Sequence, residues 1–116
     1  DPDNLKWWTV VDTHYMQEWA YFLHRLKNIK EGDGNLLDHT MVVWGSSGGT
    51  INAHNNHHLP TMLCGGSRLG VKHQGHIIKE DDYLGNLWQT MFGVMGVEVP
   101  ENFQDGEADG IISEVV

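Results

Sequence analysis

Met41-Val42-Val43-Trp44-Gly45-Ser46-Ser47-Gly48-Gly49-Thr50-Ile51-Asn52-Ala53-His54-Asn55-Asn56-His57-His58-Leu59-Pro60-Thr61-Met62-Leu63-Cys64 is the stretch that decides the fold: two short apolar runs enclose a polar loop rich in glycine and histidine. Met41 to Trp44 and Thr61 to Cys64 have strand length and strand composition, and glycines follow both. Loops set between buried strands are where α/β proteins carry their chemistry. His54, His57 and His58 are therefore expected beside Ser46 and Ser47 at a sheet edge.

Upstream, Met16, Trp19, Ala20, Leu23, Leu26 and Ile29 recur at the three-and-four spacing of one buried helix face, with Asp12 as the expected cap. Gln17, Glu18, His24, Arg25 and Lys27 fall on the opposite side. Glu31-Gly32-Asp33-Gly34-Asn35 breaks this helix, and Leu36-Leu37 leads into the first strand. Downstream, Gly65 to His76 is too rich in glycine for a helix and reads as a loop. Leu84, Leu87, Trp88, Met91, Phe92 and Met95 restore helical spacing, capped by Asp81 or Asp82 and ending near Gly96. The five tryptophans read as core or interface. The expected fold is α/β in the order helix, strand, loop, strand, loop, helix, as one segment over 1–116 with an acidic tail over 97–116.

That tail carries acidic residues and no basic one. Asp105-Gly106-Glu107-Ala108-Asp109-Gly110 copies the opening of a calcium loop, but the position of the bidentate Glu is Val116, so a solvated acidic tail is the expectation.

A formal charge of −9 with only 7 Lys and Arg excludes a phosphate-binding surface of the nucleic-acid or anionic-membrane kind. No run approaches the ~18 apolar residues of a membrane span, so no transmembrane segment is expected. The single Cys64 rules out an internal disulfide and reads as a small hydrophobe. The chain begins Asp1-Pro2 without an initiating Met or a signal segment, which makes it read as a piece of something longer.

Imidazoles bind divalent metals through a neutral nitrogen lone pair, and His54-x-x-His57-His58 with His73-x-x-His76 offers five candidates. No Cys pair or His-Glu-x-x-His accompanies them, so a polar loop whose histidines bond only the backbone is an equally open reading. Gly45-Ser46-Ser47-Gly48-Gly49 satisfies G-x-S-x-G after a strand. No helix follows it, and no His follows Asp81 or Asp82, so it reads as a glycine-rich turn rather than a nucleophile elbow.

Leu36-Leu37-Asp38-His39-Thr40-Met41-Val42-Val43-Trp44-Gly45-Ser46, the run His54 to Gly66, and Leu84-Gly85-Asn86-Leu87 with Met95-Gly96-Val97 together resemble the C-terminal part of the bacterial HXXSHH family, domain of unknown function 1552. The resemblance extends from about Thr13 to the end, with the family's naming motif lying upstream of this chain. It implies a distant alkaline phosphatase-like sheet with flanking helices and a metal site for phosphate or sulfate ester hydrolysis. His57 or His58 resembles a metal-binding His of that larger group. Ser46-Ser47 stand where that group has an Asp-His pair, and hydroxyls are poor neutral ligands, so the implied site is degenerate or atypical.

Two function classes follow. In one, His54, His57 and His58 hold zinc, manganese, iron or calcium with residues from an N-terminal portion of the same protein, and Ser46, Ser47, His73 and His76 contribute around them. In the other, the fold persists with a lapsed site as a secreted or envelope binding protein. The resemblance implies a periplasmic or extracytoplasmic place for either.

Overall fold

Proline's missing N–H leaves nothing unsatisfied at the first position of a helix. In the computed structural model, which describes residues 2–49 and 57–116, Pro2 opens a helix, α1, that spans Pro2–Lys27. The expected cap at Asp12 is thereby corrected, because Asp12 lies within the helix. No glycine or proline interrupts residues 3–27, and the hydroxyls of Thr9 and Thr13 donate to the carbonyls of Leu5 and Thr9 at 2.9 and 2.7 Å, so neither competes for another conformation. Of the expected buried face, Met16, Trp19, Leu23 and Leu26 are half-buried while Ala20 is exposed. Ile29 lies beyond the helix, where Asn28 donates its side-chain amide to the His24 carbonyl at 2.7 Å and closes the last turn.

The glycine-rich break after α1 folds into a minimal hairpin, β1 (Lys30–Glu31) against β2 (Gly34–Asn35), turning at Gly32 with φ +57°. A 3₁₀ turn over Leu36–His39 follows and carries a reciprocal cap. The Asp38 amide donates to Asn35 Oδ1 and the Asn35 amide to Asp38 Oδ2, each at 3.1 Å. The other Asp38 oxygen accepts from Ser67 Oγ at 3.0 Å, which ties this turn to a second 3₁₀ turn, Ser67–Leu69.

Both expected strands form. β3 (Met41–Gly45) and β4 (Thr61–Gly65) pair antiparallel, with Met41 opposite Gly65 and Gly45 opposite Thr61. The segment between them is therefore the loop of a long hairpin. At its closed base Gly65 has φ +79°, and a Cβ there would lie 2.2 Å from the Thr40 carbonyl oxygen, so only glycine fits.

The second helix, α2 (Leu84–Val94), begins one residue after Tyr83, whose amide donates to Asp82 Oδ1 at 2.9 Å. It stops where expected. Gly96 takes φ +67°, its amide donates to Gly93 O at 3.0 Å, and the Val97 amide donates to Phe92 O at 2.9 Å, the paired bonds of a Schellman stop.

The solvated tail is corrected. Asn86 and Thr90, only 4% and 3% exposed, reach from α2 to bind the segment that the charge pattern would leave free. Asn86 Oδ1 accepts from the amides of Asp109 and Gly110 at 2.9 and 3.1 Å, and Thr90 Oγ1 accepts from the Ile112 amide at 2.8 Å. Lys72 Nζ donates to the Val116 carbonyl at 2.6 Å, and Lys79 pairs with Glu114 at 2.6 Å. Glu98, Glu101, Asp105 and Glu107 stay exposed while the backbone of 109–112 is fastened down and Glu114 is half-buried.

The architecture is mixed α/β, two helices with two small antiparallel sheets. Among the described residues no helix is long and apolar enough to cross a membrane.

Candidate functional site

The hairpin decides which candidate side chains can meet. Ser46 and Ser47 follow β3 and His57 and His58 precede β4, so antiparallel pairing brings all four to the same open end. The Ser46 amide donates to the Pro60 carbonyl at 3.3 Å, extending the ladder one step past the strands. The two arms also touch farther out: a Cβ on Gly49 would lie 1.9 Å from the His57 carbonyl oxygen. Glycine at position 49 is what permits this approach. His54 lies outside the described residues.

His57 and His58 are both exposed, with ring centroids 6.5 Å apart and planes at 55°. His58 holds φ +55°, a left-handed conformation uncommon outside glycine, though His, like Asp and Asn, adopts it more readily than most. Asp81 and Asp105 share that conformation, at φ +56° and +52°. Ser46 is locally committed, because its hydroxyl donates to the Gly48 carbonyl at 2.8 Å and accepts from the Gly48 amide at 3.2 Å. Ser47 is exposed.

His73 belongs elsewhere, and His76 is exposed. His73 Nε2 lies 3.0 Å from the Gly65 carbonyl, and Gly65 pairs with Met41 at the base of the hairpin. A ring nitrogen that donates to a carbonyl has no lone pair left for a metal, so at this ring only Nδ1 could ligate. The base stands about 13 Å from the open end along a five-residue strand. His73 is therefore separated from His57 and His58 by about the length of β3. Among the described residues, no three His, Cys, Asp or Glu side chains converge closely enough to hold an ion.

Cys64 on β4 is half-buried, and its burial pushes the thiol up while the Trp19 side chain, within hydrogen-bonding reach, pulls it back. A thiol kept protonated is a poor nucleophile. The G-x-S-x-G match begins at Gly45, the last residue of β3, and the residues that follow Gly49 lie outside the described ones.

One feature escaped the sequence reading. The face of α2 carrying Trp88, Met91, Phe92 and Met95 opens onto a cleft of about 510 Å³ instead of being covered. His39 and Met41, at the entry to β3, line its other wall. Phe103 closes one end, edge-on to Phe92 with centroids 5.5 Å apart. His39 Nδ1 is 3.2 Å from the Asn35 carbonyl, so the proton sits on Nδ1. Helical periodicity announces an apolar face but not what lies against it.

Fold and site together define a small mixed α/β chain with a polar, histidine-bearing hairpin end. No protein-family model, curated protein or solved structure matches it.

Proposed function

We propose that this chain is part of an exported, alkaline phosphatase-like α/β protein. Its β3–β4 hairpin end would contribute His57 and His58 to an atypical divalent-metal site for hydrolysing phosphate or sulfate esters. The observation that supports this reading is the meeting of two exposed imidazoles with Ser46 and Ser47 at one open end. His54 and groups from an N-terminal portion of the same protein would complete the ligand set. Zinc, manganese, iron or calcium in that site would polarise an ester oxygen and activate the attacking group.

A second reading keeps the fold without catalysis, as a secreted or envelope binding protein. What favours it is the Ser46 hydroxyl, already spent on a local turn where a ligand would be expected to face outward.

Elemental analysis of protein purified without a His tag or chelator separates the two. The catalytic reading expects about one equivalent of metal or more in the longer protein, falling at least ~10-fold in His57→Ala and His58→Ala together. Metal-free protein before mutation rejects the hydrolase and leaves the binding role.

A further inference from the structure

The cleft beside α2 is walled by three separate parts of the chain: the entry to β3, the helix itself and Phe103. Its volume of about 510 Å³ falls within the roughly 300–1,000 Å³ of small-molecule sites. Trp88, Phe92 and Phe103 supply aromatic surfaces, and Met41, Met91 and Met95 supply flexible, polarisable thioethers that settle against rings. Among the described residues no Lys, Arg, Asp or Glu lines it. A charged occupant would give up its hydration there with no opposite charge to replace it, so the charge that the cleft complements is zero.

Two polar side chains reach the cleft, both on the β3 wall, and both have already committed their protons. The Thr40 hydroxyl donates to the Leu36 carbonyl at 2.7 Å. His39 Nδ1 donates to the Asn35 carbonyl at 3.2 Å, and the Glu31 carboxylate lies 3.8 Å from the same nitrogen. This fixes the tautomer and leaves Nε2 with its lone pair, to which nothing donates among the described residues. The cleft thus offers acceptors and no donor. An occupant that displaces water from Nε2 must bring a donor of its own, or the nitrogen is left dry and unpaired.

We propose that the cleft binds an uncharged aromatic molecule bearing one O–H or N–H, its rings among Trp88, Phe92 and the methionines and its donor on His39 Nε2. The site lies at the entry to β3, away from the open end of the hairpin, so the inference is independent of any metal there.

The probes are 2-naphthol, its methyl ether and 2-naphthoate, titrated near neutral pH into protein carrying ¹³C in its methionine methyls. Naphthol should shift the methyl resonances of Met41, Met91 and Met95, each assigned by its Met→Leu variant, and leave those of Met16 and Met62, which do not line the cleft. The ether keeps the rings but has no donor, and should bind at least ~5-fold more weakly. Naphthoate should bind more weakly than naphthol. In His39→Leu, naphthol should fall to the affinity of the ether while the ether is unchanged. Equal binding of naphthol and ether to the unmutated protein overturns the inference without recourse to any variant. Naphthoate binding tighter than naphthol overturns it, as does an absence of methyl shifts up to the solubility limit of naphthol. Shifts that are present in this chain and lost in the longer protein carrying it overturn it too, because that protein's own residues then fill the cleft.

Discussion

Asp38 shows how one half-buried carboxylate can organise several turns. It caps the 3₁₀ turn before β3 and accepts from Ser67 after β4, and the Asn35 amide and the Ser67 hydroxyl, in that order, hold its carboxyl below the usual value of 3.8. Because the folded form lowers the pKa, ionised Asp38 stabilises the fold above the ordinary carboxylate range. That contribution disappears as the pH falls through the depressed value. Asp38→Asn should therefore lower the urea midpoint at pH 7, and the gap from the parent chain should narrow as the solution is brought to pH 3 and below. Parallel midpoint curves over that range would mean that the carboxylate's charge has no part in the cap. Asn86 plays the corresponding role on α2 with a neutral group. Its amide donates to both Asp82 and Asp109 while its carbonyl oxygen takes two backbone amides, so all of its donors and acceptors are used inside the protein.

At the scale of elements, α2 and the segment it anchors can be tested with two glycines of one helix. A Cβ on Gly85 would lie 2.0 Å from the Glu107 carbonyl oxygen, whereas a Cβ on Gly93 would meet nothing within 4 Å. Both substitutions gain the helix propensity of alanine, worth about 1 kcal/mol. Gly93→Ala should accordingly stabilise the chain by about 0.5–1 kcal/mol, while Gly85→Ala should destabilise it by about 1–3 kcal/mol through overpacking. Hydrogen exchange should then speed up at the Asp109, Gly110 and Ile112 amides in Gly85→Ala alone. Equal and favourable effects at both positions would mean that the segment is not seated on α2. The strands, the α2 stop at Gly96 and the break after α1 were legible because each rests on local chemistry: apolar runs of strand length, and glycines where φ turns positive. The early start of α1 was not, since Asp12 is a good cap residue whose use depends on what precedes it. The docking of 107–116 was hidden too, because acidic side chains report solvent while the backbone that Asn86 and Thr90 bind carries no sequence signal. At the candidate site, the gathering of Ser46, Ser47, His57 and His58 followed from strands on either side of a loop. The separation of His73 was not legible, because it rests on a contact to the Gly65 carbonyl, which the register places at the opposite end of the hairpin.

The molecule as a whole is broad and thin, 49 × 38 × 21 Å, with a radius of gyration of 16.3 Å where about 13 Å is usual for its length. Its buried apolar residues among those described are Val71 and Leu87, both beside the hydrogen bonds that hold the C-terminal segment. Much of the apolar surface of the described residues therefore stays exposed. Unfolding such a chain uncovers little new surface, and the slope m of a urea titration follows the surface uncovered. The slope for these 116 residues should accordingly fall below the value usual for a compact domain of the same length. A slope as steep as that of a compact domain would mean that the faces left open around α1 and α2 are covered in solution.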